Sequence, residues 1–169
     1  RNWSMQPSMS DLYITKQVDA YVSIRATLPR RSGRHCFEIK TVSLTTSYAW
    51  WIKVGIVPKS TSMDNYIGVA ANDIVFDGNG AFLGVASVHP AYGNANGNQV
   101  GFGFDFSKKT AEFFLNGVRY GEKDISSKLL DVPYYPALML YGAGNQALVN
   151  FGETPFVNPM HDYLEWNRA

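Results

Sequence analysis

Asp105 and Glu112 are the two carboxylates in this chain best placed for acid–base work, because they fall on adjacent extended segments around one turn. A sandwich-type glycoside hydrolase needs such a pair about 5 to 9.5 Å apart in a groove. The plainer reading is adopted here: Asp105 braces the turn and Glu112 faces water. Asp73, Asp77 and Asn79 offer oxygen ligands for calcium in a short glycine-containing loop. Ala81 stands where a further ligand belongs and no glutamate closes the loop, so a solvated turn is expected. His35, His89 and His161 are scattered, with none at metal-helix spacing or beside a cysteine pair. The single cysteine, Cys36, sits inside the strand-like HCFEI and reads as a buried filler, which points to a reducing compartment. No GxSxG elbow is present, and neither Gly101-Phe102-Gly103 nor Gly142-Ala143-Gly144 completes a phosphate-binding fingerprint. The only basic cluster is Arg30, Arg31 and Arg34. Guanidinium pairs bidentately with carboxylate and phosphate, so this loop is the candidate grip for an acidic or phosphorylated peptide or an RNA backbone.

The segments that must position these residues are strands. From Gln99 to Gly121 the sequence reads QVGFGFDFSKKTAEFFLNGVRYG. Val100, Phe102, Phe104 and Phe106 alternate with Gly101, Gly103 and Asp105, giving one bulky buried face and one thin face. Ala111, Phe113 and Leu115 alternate with Glu112, Phe114 and Asn116, and Asn116-Gly117 is a strong hairpin signal because both residues tolerate positive φ. Leu12 to Ile14, Ala20 to Thr27 and His35 to Val42 also read as extended. In Tyr48 to Val57, Trp50, Ile52, Val54 and Ile56 are expected to share one face and Trp51, Lys53 and Gly55 the other, with Pro58 ending the strand. One or two helical turns are expected at Asp124 to Leu130, and a short helix at His161 to Trp166. Residues 1–11 read as a tether or an edge segment.

The chain has 169 residues, enough for one domain that buries roughly 70% of its unfolded surface. Ten Phe, ten Tyr and four Trp suit a thick sandwich core, and 15 Gly with 8 Pro suit its many turns. A formal charge of +1 supplies no global field toward nucleic acid or membrane, so any partner is recognised locally. No apolar run approaches a membrane span and no signal segment is seen. The start at Arg1 reads as that of an excised domain. Regularly spaced short strands imply an all-β sandwich of two antiparallel sheets spanning 1–169.

Six blocks occur in one order: SGRHCFEIK at 32–40, WIKVGIVP at 51–58, YIG at 66–68, the FFLNG hairpin, YYPALML at 134–140 and VNFGETPF at 149–156. Together they resemble the SPRY (B30.2-like) family over roughly residues 30–157. The resemblance implies a concanavalin-like jelly roll, with residues 1–11 as an extension and 158–169 as a tail. The closing PFV, DY and EW are similar to the end of the SPRY domain in the Ran-binding protein M branch, which includes ubiquitin-ligase scaffolds.

The resemblance further implies a non-catalytic, cofactor-free intracellular interaction module, whose inter-strand loops form a shallow pocket for a short peptide or protein loop. Carried over by the matching blocks, that pocket falls at Lys16 and Val18, at Met63 and Tyr66, and at Leu140, Tyr141 and Gly142. The SOCS-box branch has Arg, Pro and Trp where this chain has Ile14, Lys16 and Tyr141, so that branch's peptide preference does not transfer. Lys16 reads as an exposed loop residue, and Tyr66 and Tyr141 as either rim or core aromatics. The competing readings are the arginine loop as a phosphopeptide or nucleic-acid site, and a lectin-like sandwich.

Overall fold

Alternating bulky and small side chains set the strands of this chain, and a computed structural model describes residues 3–7, 12–17, 20–45, 48–85 and 87–168. Its strands are β1 (Trp3–Pro7), β2 (Leu12–Lys16), β3 (Ser23–Arg25), β4 (Arg34–Ser43), β5 (Ile52–Pro58), β6 (Ile74–Asp77) and β7 (Phe82–Leu83). They continue as β8 (Gln99–Asp105), β9 (Thr110–Leu115), β10 (Val118–Asp124), β11 (Tyr134–Leu140), β12 (Gln146–Asn150) and β13 (Leu164–Glu165). One sheet runs β1-β2-β12-β4-β8-β9-β10, and the other β3-β11-β5-β6-β7. All pairs are antiparallel except β13 with β4. The all-β sandwich expected from the sequence is the observed architecture. Residues 3–7 form an edge strand, in keeping with the edge-segment alternative.

The inner faces meet in an aromatic core of Phe37, Phe76, Phe102, Phe104, Phe113 and Trp166, all nearly inaccessible. On β8 the alternation holds: Val100, Phe102 and Phe104 point inward while Gly101 and Gly103 face out. Asn116 (φ 49°) and Gly117 (φ 84°) make the expected hairpin turn between β9 and β10.

Of the two helical expectations, the one at Asp124 to Leu130 is met by a single turn and the tail helix is corrected. Asp124 to Leu130 contains one turn, in which the Lys128 and Leu129 amides donate to the Ile125 carbonyl, after β10 has already claimed Asp124. The tail at 161–166 is no helix. Leu164 and Glu165 pair with His35 and Cys36, extending the row beside β4 past the point where β12 ends at Asn150 opposite Glu38. This puts Trp166 in the core, with Met160 and Tyr163 against the thin glycine face of β8.

A second correction concerns Tyr48 to Trp51. Ala49–Trp51 is a 3-10 turn, and regular strand begins only at Ile52. The tighter turn breaks the two-residue period. Trp51, not Trp50, therefore enters the core with Ile52, Val54 and Ile56, and its Nε1 donates to the Gly93 carbonyl at 2.5 Å.

Candidate functional site

Trp50, expelled from the core by that turn, joins an aromatic cluster on the outer side of the β3-β11-β5-β6-β7 sheet. Tyr21, just before β3, stacks on Tyr141, just after β11, with centroids 4.7 Å apart, and lies edge-on to Tyr66 at 5.7 Å. Trp50 packs on Tyr141 at 5.2 Å and on Tyr48 at 5.4 Å. Tyr21, Tyr48 and Tyr66 are 46%, 59% and 37% exposed, so these rings offer contact area to solvent rather than to the core. Tyrosine and tryptophan suit recognition because they supply broad, stiff, amphipathic area with few rotatable bonds.

Beneath Tyr21, Trp50 and Tyr66 lies a cavity of about 400 Å³ with Val69 and Leu83 on its wall and Lys53 and Asp77 on its floor. Lys53 on β5 and Asp77 on β6 are register partners, and they form a buried ion pair. The Lys53 ammonium also sits 5.6 Å from the Tyr66 ring centroid, and the Asp77 Oδ1 accepts from the Asn79 amide at 3.1 Å. The floor is thus polar yet electrically balanced.

Loop anchoring fixes the rings. Ser23 donates its amide to the Met63 carbonyl (2.9 Å) and its hydroxyl to the Asn65 carbonyl (2.7 Å), which holds the Tyr66 loop against β3. The fully buried Asp73 accepts from the Thr61 hydroxyl (2.6 Å) and the Gly68 amide (2.9 Å), pinning the loop from its other side. The Tyr141 amide donates to the Trp51 carbonyl at 2.7 Å. Asp73 and Asp77 therefore serve as loop braces, where a solvated turn was expected from the sequence.

The residues carried over from the family pocket separate into three groups. Tyr66 and Tyr141 belong to the aromatic cluster. Met63 packs at the edge of the outer apolar cluster of Val57, Ile67, Val75, Ala137 and Met139. Leu140 is wholly buried in the core and presents nothing to a ligand. Gly142, at φ 96°, is a turn residue whose Cβ would stand 2.6 Å from the Asn145 side chain. Lys16 is not an exposed loop residue: it ends β2 and is buried, which draws its pKa down to about 8. Its backbone accepts from Gly144 and donates to Asn145, so it holds the turn that follows Tyr141. Val18 lies outside the described residues.

The arginine cluster is dispersed. Arg30 donates to the Trp166 and Arg168 carbonyls, Arg31 pairs with Asp131 at 3.0 Å, and Arg34 pairs with Asp105 and Glu122 while stacking over the Tyr163 ring. Asp105 also accepts from the Ser107 and Lys108 amides, the bracing role expected of it. Glu112 does not face water. It is fully buried, gripped by Arg119 through two nitrogens and by the Tyr163 hydroxyl at 2.8 Å. Burial pushes the Cys36 thiol far up, away from the thiolate form.

Sequence reasoning missed Tyr21, Tyr48, Trp50, Lys53 and Asp77 as one assembly. The alternation around β5 does place Lys53 opposite Ile52 and Val54, but the pairing with Asp77 and the outward turn of Trp50 depend on β6 and on the 3-10 turn.

No protein-family model matches the sequence, and no curated protein is significantly similar to it. Solved structures do match the fold. The SPRY domain of human HERC1 superposes with a TM-score of 0.70 at 12% identity, covering 91% of this chain and 97% of that one. A human SPRY domain matches with a TM-score of 0.59 at 14% identity, over 89% and 97% of the two chains. The TRIM65 PSpry domain matches with a TM-score of 0.59 at 12% identity, over 88% and 90%. The chain has the SPRY-domain fold.

Proposed function

We propose that this SPRY-type sandwich is a protein-interaction module that captures a short peptide or exposed loop on the surface formed by Tyr21, Tyr48, Trp50, Tyr66 and Tyr141. The observation that carries the reading is the stacked ring cluster above the Lys53–Asp77 pair, exposed at Tyr21, Tyr48 and Tyr66 and backed by the partly buried Trp50 and Tyr141. Such a surface gains most from desolvating a ligand, while the pre-packed rings lose little freedom on binding. The balanced floor favours ligands without strong net charge, since neither Lys53 nor Asp77 is left to neutralise a formal charge.

Asp105 and Glu112 are both committed to ion pairs with arginine, which supports a module without chemistry of its own. The engagement of Arg30, Arg31 and Arg34 in intramolecular contacts likewise argues against a phosphate grip. The resemblance of the closing segment to the Ran-binding protein M branch is the ground for placing the domain inside a larger intracellular scaffold of ubiquitin-ligase type. Among the described residues no helix is long and apolar enough to cross a membrane.

A displayed random-peptide library tests the reading. Peptides enriched by the wild-type domain should lose at least about 30-fold in affinity for a Tyr66→Ala/Tyr141→Ala variant, the scale of a truncated aromatic hot spot. Equal binding to the variant rejects the site. Binding that collapses with added salt and with neutralisation of the three arginines moves the function to the basic loop.

A further inference from the structure

A second cavity, separate from the aromatic surface, lies between the two sheets. Its volume is about 530 Å³, within the roughly 300–1,000 Å³ of small-molecule pockets. Ile14, Val149 and Ile39 line it from β2, β12 and β4, and Ile24, Leu138 and Val54 line it from β3, β11 and β5. It therefore runs across three neighbouring strands of each sheet, about 10 Å at ordinary strand spacing. Its walls are apolar on both sheets, so a hydrocarbon chain is the chemistry it accommodates.

Leu28, Glu153 and Asn167, exposed members of the lining, mark its mouth, and the buried Trp166 lies among them. The Trp166 Nε1 donates to the Leu28 carbonyl at 2.9 Å, and Glu153 accepts from the Phe151 amide at 2.9 Å and from the Asn167 side chain at 3.4 Å. Arg25 borders the cleft through β3, but its guanidinium is held by the carbonyls of Pro58, Lys59 and Thr61 and lies over the Tyr135 ring. The interior is thus hydrocarbon, and the acidic side chain among the lining residues is Glu153, while the nearby Arg30 guanidinium is taken up by the Trp166 and Arg168 carbonyls. A carboxylate headgroup would meet like charge there; an uncharged hydroxyl or ester would not.

We propose that the inter-sheet cleft binds a neutral, single-tailed apolar amphiphile of the long-chain alcohol or ester class, with its tail between Ile14, Ile24 and Leu138 and its head at Glu153 and Asn167. This site is independent of the peptide-binding reading.

Titration of the intact chain with 1-decanol, by calorimetry and by following the indole N–H resonances, tests it. Saturable one-to-one binding that shifts the Trp166 indole resonance and leaves that of Trp50 in place is expected. From 1-hexanol to 1-decanol the affinity should rise about fourfold per methylene, the factor for burying each CH₂. Decanoate should bind at least tenfold more weakly, and Glu153→Gln should narrow that gap. Val149→Phe, or Leu138→Phe should the first fail to fold, fills the cleft and should abolish decanol binding. Absence of saturable binding, a shift confined to Trp50, or unchanged affinity in a folded filled variant overturns the site. Equal affinity for decanoate overturns the neutral-headgroup assignment.

Discussion

Trp50 and Trp51 are sequence neighbours on opposite sides of one sheet: Trp51 is fully buried and hydrogen-bonded to Gly93, whereas Trp50 lies out against Tyr141 at 5.2 Å. Their roles should separate by mutation. Trp51→Ala removes a core ring and a satisfied indole N–H, and should cost about 3–5 kcal/mol in chemical denaturation. Trp50→Ala should cost less than about 1 kcal/mol while weakening capture of library-selected peptides at least tenfold. A large stability loss for Trp50→Ala would show that the cluster is a support for the sheet.

Gly103 and Tyr163 form a similarly specific pair. A Cβ at Gly103 would stand 2.6 Å from Cζ of Tyr163, and one at Gly101 would stand 2.7 Å from Sδ of Met160. The tail lies directly on the peptide backbone of β8, clamped by Tyr163 to Glu112 and by Asp162 to Arg119. Gly103→Ala should therefore destabilise by about 1–3 kcal/mol, the scale of overpacking. In the Tyr163→Ala background the same change should cost much less. Additive losses in this double-mutant cycle would place the strain elsewhere.

What the sequence reveals follows from how local each determinant is. The faces of β8 and β9 are readable because runs of seven and six residues alternate without a break, and the Asn116-Gly117 turn because its positive φ values need those residue types. β13 is two residues long and has no period of its own, so the spacing of Tyr163 and Trp166 imitates a helical face although a strand pairing made with distant β4 holds them. Glu112 looks like any strand carboxylate until Arg119 and Tyr163, seven and 51 residues away, close over it. Of the candidate site, Tyr66 and Tyr141 are reached through family-like blocks. Tyr21 and Trp50 are not, since a 3-10 turn and the pairing of β3 with β11 bring them there.

Lys16 gives the stability a pH dependence of definite sign. Burial lowers its folded-state pKa to about 8, against about 10.4 in an unfolded chain. Between those values the unfolded state binds the extra proton, so raising the pH removes a bias toward unfolding. Below pH 8 both states are protonated and the penalty is constant. Above about 10.4 both are neutral and the penalty is gone. The buried hydroxyls of Tyr92 and Tyr163, whose pKa values are raised by burial, oppose this trend because the unfolded chain ionises first. The informative quantity is therefore the difference between wild type and Lys16→Met in urea unfolding. The wild type should gain on the variant by up to about 3 kcal/mol between pH 8 and 10.4. A difference independent of pH would mean that Lys16 reaches solvent.

The Lys53–Asp77 pair forms the floor of the aromatic cavity, and its two members should fail singly but not together. Asp77→Ala leaves the ammonium beneath the rings with its counter-charge removed, and also frees the Asn79 amide that Asp77 accepts. Loss of one partner of a buried pair costs about 3–5 kcal/mol; a value near the lower end is expected because the cavity gives Lys53 a route to water. Replacing both by apolar residues of similar size, Lys53→Met with Asp77→Leu, should restore most of that stability, since the desolvation of two charges disappears with the attraction between them. Peptide capture should not recover in the double variant if the ligand uses the ammonium or the carboxylate as a hydrogen-bonding partner. Denaturation and affinity measured on the same three proteins separate the two roles: recovery of stability without recovery of binding assigns the pair to recognition, and recovery of both assigns recognition to the rings alone.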